Sequence, residues 1–257
     1  MSSIVLIKCL KHQGFNMQVI AVIPARLASS RLEAKLLKDL GGKTVLQRTY
    51  EQALKAKLVN RVIIATDSEI IYQEAESFKA DVEMTSADHQ SGSDRIAELA
   101  NNNQGWDLIV NVQGDEPFIS PGDIDKAIEP FLHDPLLEMT SLYHLITNED
   151  DINNPNNVKV VTDANNDALY FSRAAVPFKR DISAPVAFKK HIGLYAYRRE
   201  ALLRLTRLPQ SELEKTEKLE QLRALESGIK IKMLEVESAP IGIDTEEDYQ
   251  KALKLLS

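Results

Sequence analysis

A single cysteine, Cys9, stands in 257 residues. No intrachain disulfide can form, no cysteine-built zinc centre is available, and a reducing compartment is expected. No apolar run nears the roughly 20 residues needed to cross a bilayer. Positive charge is short as well: 31 Lys and Arg stand against 38 Asp and Glu, a net charge of −7, which argues against general nucleic-acid binding. A local group of cations can still hold an anionic ligand against that global sign. Several catalytic signatures are missing. No Gly-x-Gly-x-x-Gly follows the first apolar strand, which counts against a Rossmann dehydrogenase, and there is no Walker lysine motif, His-Glu-x-x-His or Gly-x-Ser-x-Gly.

What is present is an ordinary globular composition, 44% hydrophobic and 27% charged, in a chain long enough for one large domain with a substantial core. The first informative stretch runs from Val19 to Lys35. A buried-strand pattern, Val19 to Ile23, ends at Pro24, and a loop of small residues follows that carries Arg26, Arg31 and Lys35. Loops at the carboxyl ends of parallel strands are where open α/β sheets bind ligands. Three cations with exposed backbone N–H groups between them suit a polyphosphate, and equally fit a solvated basic turn. Met17, two residues before this strand, reads as the natural start, or residues 1–16 as a dispensable extension.

Further along, periodicity predicts helices over 44–57 and 68–79, strands over 61–67 and 82–84, and a helix entered through His89 to Arg95. The most apolar strand, Leu108 to Val112, runs into Gln113-Gly114-Asp115-Glu116-Pro117, and a helix over 121–131 follows. This β–α alternation implies a parallel sheet with right-handed crossovers. From Met139 the pattern turns antiparallel: a strand over 139–146, a hairpin over 158–172 and an alternating strand over 190–197. Helices over 199–207 and 211–227, a strand over 229–236 and a last helix opened by Thr245 complete the chain.

Asp115 puts a carboxylate on the same sheet rim as the basic loop, and Gly114 beside it removes a Cβ so that another group can come close. One or two carboxylates beside phosphate oxygens are what Mg²⁺ takes from a protein. Asp244 is the candidate second carboxylate. Each aspartate can instead be a turn or helix-cap residue. Ser91 with Asp94 forms a capping-box pattern. His191 and Tyr195 share one face of a strand, and a strand histidine is commonly structural. Arg173 calls for a carboxylate partner, and Glu220-Gln221 falls on a helix that would leave it on a solvated face.

Taken in order, Ile23-Pro24-Ala25-Arg26, Ala28-Ser29-Ser30-Arg31, Ala65-Thr66-Asp67, the segments 88–95 and 111–117, Leu169 to Ala174, His191 to Arg198, Glu217 to Arg223 and Gly242 to Thr245 resemble one family, the 3-deoxy-manno-octulosonate cytidylyltransferases. The resemblance covers essentially everything from Val19 onward. It implies a Rossmann-like α/β nucleotide-diphospho-sugar transferase fold, with a mostly parallel sheet and an inserted antiparallel region near 139–198 that serves dimerisation and sugar binding. It also implies a cytoplasmic homodimer that transfers CMP from CTP to Kdo with Mg²⁺ for lipopolysaccharide synthesis, engaging neither nucleic acid nor membrane. An amino-Kdo or a sialic acid is the alternative acceptor, and a catalytically impaired nucleotide-binding homologue the alternative protein.

By the same resemblance Arg26, Lys35, Asp115 and Asp244 would be catalytic, with Asp115 and Asp244 holding the metal. Ala25, Arg26, Ser29, Ser30, Arg31, Lys35, Gln90, Ser91, Gly92, Ser93 and Arg95 would bind CTP, and Gln113, Arg173, His191, Tyr195, Glu220 and Gln221 would bind the sugar. The basic loop departs from the family pattern, in which Pro and Gly precede the lysine; here Glu33 and Ala34 do. Glu33 adds a negative charge near the expected triphosphate, and Ala34 replaces Gly without strain only where φ is negative.

Overall fold

The computed structural model describes residues 17–28, 32–181, 186, 188–237 and 241–256. The expected extension, residues 1–16, lies outside the described residues. The opening strand, β1 (Val19–Ala25), shows how the core is divided. Val19, Ala21, Ile23 and Ala25 pack into one apolar cluster, while Ile20 and Val22 pack into a second. Successive strand side chains point to opposite faces, so a strand without polar alternation requires cover on both sides.

That cover comes from amphipathic helices: α1 (Val45–Ala53), α2 (Glu69–Ser77), α3 (Gly92–Asn102), α4 (Pro121–Ile128), α5 (Glu149–Asn153), α6 (Arg199–Arg207), α7 (Glu212–Glu217), α8 (Gln221–Glu226) and α9 (Glu246–Lys254). In α1, Val45, Leu46, Thr49, Tyr50 and Ala53 are buried, one helical stripe, and the Thr44 hydroxyl caps the helix by accepting from the Gln47 N–H at 3.2 Å. Ser91 with Asp94 and Thr245 with Asp248 form full capping boxes at α3 and α9.

The remaining strands are β2 (Arg61–Thr66), β3 (Val82–Met84), β4 (Leu108–Asn111), β5 (Met139–Ile146), β6 (Lys159–Thr162), β7 (Ala168–Ser172), β8 (Phe188–Arg198) and β9 (Ile231–Glu235). They form a nine-stranded sheet whose main path runs β3-β2-β1-β4-β8-β5-β9. Pairing is parallel among β3, β2, β1 and β4 and again between β5 and β9. Strand β8 lies antiparallel between β4 and β5. The antiparallel region expected over 139–198 is built into the same sheet. Its strands β5 and β8 are internal members of the sheet, and only the β6–β7 hairpin leaves the main path, through pairing with β8. Alternation along a strand reveals its two faces but not its neighbours.

A second difference concerns the helix expected over 211–227. Lys218 sits in the left-handed region at φ +55° and divides it into α7 and α8. The two halves are held together by the buried Arg223–Glu214 ion pair, 2.6 Å and 2.8 Å long. The Glu217 carboxylate turns back to accept from the Ser172 hydroxyl at 2.6 Å and the Arg173 N–H at 3.0 Å. A left-handed non-glycine residue costs about 1–2 kcal/mol, which these charge-assisted contacts offset. Within α7, Leu213 is 37% exposed. The break brings Glu220 round towards the sheet.

Candidate active site

Two adjoining cavities open along the carboxyl ends of β1 and β4. The larger, about 330 Å³, is walled by Pro24, Arg26, Ala28, Lys35 and Leu36 on one side and by Gln90, Ser91 and Gly92 on another. Gln113, Gly114, Asp115 and Asp244 complete it. The smaller, about 180 Å³, shares Gly92 and Gln113 with the first and adds Ser93, Asn111, Tyr195 and Tyr197. Met139, Leu205, Glu220 and Gln221 form its remaining wall.

Lys35 is the centre of the larger cavity. Its ammonium donates to Asp115 and, at 2.8 Å, to Asp244. Burial alone would lower the lysine pKa, but the two carboxylates outweigh it and hold the pKa above the usual value. Neither aspartate caps a helix: Thr245 caps α9, and Asp115 sits in a turn with its carboxylate on Lys35. Beneath them lies Glu116, with one carboxylate oxygen buried and without a partner. Burial, reinforced by the charges of Asp115 and Asp244, pushes Glu116 up to about 8. Gly114 earns its place locally, because a Cβ there would stand 3.4 Å from Ile23, Leu36 and the Pro24 carbonyl. What comes close to it is the protein's own chain.

Arg26 leaves the end of β1 and donates to the His89 carbonyl, to Ser91 O at 3.2 Å and to Gln90 O at 3.4 Å. It thereby ties the basic loop to the segment entering α3. At Gly92 a Cβ would meet Pro24 Cγ at 3.3 Å, so this segment lies tightly against the strand end. Ser91 serves twice, as cap of α3 and as cavity wall. Ala34 has φ +46° and ψ +34°, not the negative φ that an alanine needs to replace Gly without strain. Glu33 is exposed and lines neither cavity, so its charge faces solvent.

In the smaller cavity Glu220 accepts from the Ser93 hydroxyl at 2.6 Å while its other oxygen is buried without a hydrogen-bond partner. Burial raises its pKa, with the Ser93 bond and Arg223 opposing. Gln113 stands at the junction, its side-chain N–H groups near Asn111 Oδ1 at 3.2 Å and Gly193 O at 3.4 Å. Two aromatic rings line the cavity, Tyr195 stacking on Tyr197 at 5.8 Å, and His191 lies against Tyr195 at 5.3 Å without lining either cavity itself. Burial drives His191 down to about 3 and both tyrosines up, so all three are neutral near pH 7.

Most of the expected site residues converge here: Arg26, Lys35, Gln90, Ser91, Gly92, Asp115 and Asp244 around one cavity, and Ser93, Tyr195, Glu220 and Gln221 around the other, with Gln113 in both. Ser29, Ser30 and Arg31 lie outside the described residues. Four expectations differ. His191, expected at the sugar, packs against the cavity-lining Tyr195 and lines neither cavity. Arg95 is fully buried, paired with Asp67 at 2.9 Å and with the Thr85 hydroxyl, so it supports the floor of the loop and cannot face a base. Arg173 donates to the Glu217 carbonyl at 2.8 Å and the Pro155 carbonyl at 3.1 Å and lines neither cavity. Ala25 is the last, fully buried rung of β1 and likewise lines neither. Asn111, Tyr197, Met139 and Leu205 were not expected. Tyr197 was findable, being in phase with His191 and Tyr195 on β8.

A buried parallel strand, a cationic loop at its carboxyl end, two converging aspartates and a neighbouring polar cavity are the setting in which likeness to known proteins carries weight. Residues 20–231 match the Cytidylyltransferase family. A 3-deoxy-manno-octulosonate cytidylyltransferase of Flavobacterium johnsoniae is 52% identical, with 93% of this chain and 99% of that protein covered. The corresponding protein of Solibacter usitatus is 48% identical, over 93% and 94%. This chain belongs to the 3-deoxy-manno-octulosonate cytidylyltransferase family. A solved structure of CMP:2-keto-3-deoxy-manno-octonic acid synthetase complexed with CTP superposes with a TM-score of 0.89 at 39% identity, covering 93% of this chain and 98% of that one. A 4-diphosphocytidyl-2C-methyl-D-erythritol synthase from Anaerococcus prevotii, at 15% identity and TM-score 0.62, shares the fold with this cytidylyltransferase. Among the described residues no helix is long and apolar enough to cross a membrane.

Proposed function

We propose that this chain transfers CMP from CTP to the anomeric hydroxyl of 3-deoxy-D-manno-octulosonate, releasing pyrophosphate, as a cytoplasmic homodimer acting in lipopolysaccharide synthesis. The observation that carries the reading is that the two cavities adjoin, sharing Gly92 and Gln113 as walls, one cationic and rimmed by two aspartates, the other polar and aromatic. A triphosphate in the first would bring its α-phosphorus near the mouth of the second, where a sugar hydroxyl can be held.

The hydroxyl oxygen attacks the α-phosphorus, the bond to the α–β bridging oxygen breaks, pyrophosphate leaves with the electron pair, and the hydroxyl proton passes to solvent. Such transfers are catalysed by positioning and charge stabilisation rather than by a protein nucleophile. Lys35, kept protonated by its neighbours, stabilises charge growing on the departing pyrophosphate. Arg26 holds the Gln90–Gly92 segment against the nucleotide. Glu220 and Gln221 offer polar atoms, and Tyr195 and Tyr197 an aromatic floor, for the sugar ring.

Asp115 and Asp244 suit a hard cation such as Mg²⁺, because both reach a single cation, the Lys35 ammonium. Among the described residues no three His, Cys, Asp or Glu side chains group as a complete metal site, which fits an ion that completes its shell with phosphate oxygens and water. Bound there, Mg²⁺ would neutralise phosphate charge and lower the pKa of the attacking hydroxyl. Pyrophosphate release from CTP, measured with and without Mg²⁺ against Kdo, 8-amino-Kdo and sialic acid, tests the whole reading. Mg²⁺-dependent release with Kdo is expected. Release only with another acidic sugar would reassign the acceptor, and none with any sugar would make the chain a nucleotide-binding homologue without activity.

A further inference from the structure

Ser141 lies on β5, fully buried, at the place where the pairing of β5 with β8 slips. Ser141 pairs with Tyr195 and the next residue, Leu142, with Ile192, so Gly193 and Leu194 bulge out of register. The bulge brings two carbonyl oxygens of β8 to one hydroxyl: Ser141 Oγ is 3.2 Å from Ile192 O and 3.0 Å from Leu194 O. Its third neighbour is His191 Nε2, at 2.9 Å.

A hydroxyl has one hydrogen, and carbonyl oxygens can only accept. If the hydroxyl donated to His191 Nε2, both carbonyls would face its lone pairs without a hydrogen between. If instead Nε2–H donates to Ser141 Oγ, the hydroxyl hydrogen serves the carbonyls and every contact is satisfied. The imidazole is neutral, since burial holds it far below its usual range, so one nitrogen carries the hydrogen and the other a lone pair. We infer that Ser141, through the β8 bulge, fixes His191 as the Nε2–H tautomer and so presents Nδ1 as a hydrogen-bond acceptor beside the sugar cavity. Nε2 makes the ring's hydrogen bond to Ser141, and Nδ1 has no hydrogen-bond partner among the described residues. The ring is held on both sides, edge-on to Phe171 at 5.0 Å and against the cavity-lining Tyr195 at 5.3 Å.

The consequence is selectivity of orientation, and it rests on the proposed sugar-binding role of the cavity. A fixed neutral acceptor takes a hydrogen bond from a sugar hydroxyl and repels a carboxylate. The acid group of the substrate therefore turns away from His191, and a hydroxyl faces it. Ser141 is a positioning residue, acting through the tautomer.

Long-range ¹H–¹⁵N correlation spectra of histidine-labelled wild-type enzyme, with His191 assigned by its loss in His191→Asn, read the tautomer directly. The expected spectrum has a pyrrole-type Nε2 and a pyridine-type Nδ1 near pH 7; a protonated Nδ1, alone or in an imidazolium, overturns the inference. In Ser141→Ala the two nitrogens should average towards a tautomer mixture. The KM for Kdo should rise about fivefold to tenfold, the loss of one hydrogen bond, with the KM for CTP unchanged and kcat within about twofold, the pattern of lost ground-state binding. Ser141→Cys, nearly isosteric, keeps the packing and weakens the bond; it should fall between the two. A raised KM with an unchanged tautomer in Ser141→Ala would reduce Ser141 to packing and overturn the inference. Absence of turnover with CTP and Kdo in the wild-type enzyme fails the underlying functional reading, and the nitrogen spectrum then decides the Ser141–His191 assignment by itself.

Discussion

Ala34→Gly should make this protein more stable. The residue stands in the loop that delivers Lys35 to Asp115 and Asp244, with φ +46° and ψ +34°. In that conformation the Cβ of an L-residue crowds the following carbonyl, at about 1–2 kcal/mol, whereas glycine has no Cβ to crowd. Glycine also frees the unfolded chain, which returns about 0.4–1 kcal/mol of the gain. The difference is a net stabilisation of about 0.5–1 kcal/mol, or roughly 1–4 °C in melting temperature for a chain of this length. Urea unfolding followed by fluorescence, with the slope unchanged, gives the cleaner number. Ala34→Val is the opposing control, because a branched side chain is worse placed at positive φ and should destabilise. Kinetics add a second reading: if relieving the strain holds the loop in its Lys35-presenting form, the KM for CTP falls by up to about fivefold, the same energy expressed as affinity. Adding Glu33→Pro tests the rest of the family pattern; Glu33 is exposed, so its charge is screened by solvent and its removal alone should matter little. A glycine variant less stable than the parent would refute the strain argument.

Three further outcomes are expected. Asp115→Ala should lower kcat by at least about 10²-fold while leaving the fold intact by circular dichroism, since transition-state charge stabilisation is lost; a loss of tenfold or less would return Asp115 to a structural turn. Arg95→Leu should cost about 3–5 kcal/mol of stability, because it leaves Asp67 without its buried partner, yet change the KM for CTP only slightly at a temperature where the variant is folded; a large CTP defect in the folded variant would place Arg95 at the nucleotide after all. His191, pushed down to about 3 in the folded protein, binds fewer protons folded than unfolded below its usual value near 6.5. Its contribution is therefore complete above pH 6.5 and is lost as pH falls from there towards 3. The difference in unfolding free energy between wild type and His191→Gln should narrow over that window, and a constant difference would mean the ring is not buried as a neutral group.

The local chemistry of the chain was legible from sequence because it depends on neighbours a few residues apart. Thr44, Ser68, Ser91 and Thr245 cap the helices they announce, and the apolar run from Val19 is a strand covered on both faces. The cationic loop and the Gly114-Asp115 rim fall at adjacent strand ends for the same reason, since parallel strands joined by helices put their carboxyl ends on one side. What only the tertiary structure decided depends on partners far apart in the chain. Arg95 looked like part of the site and is sealed on Asp67 and Thr85. Arg173 looked like a sugar ligand and is spent on Glu217 and Pro155. Glu220 reaches the cavity because Lys218 breaks the helix that reads as continuous over 211–227, and the energy of that break is offset by Glu217 and Arg223 contacts spanning up to 45 residues. The bulge that sets Ser141 against His191 arises from the register of two strands 50 residues apart, which neither strand encodes alone. Side-chain periodicity fixes which face a residue takes; only packing fixes what it meets there.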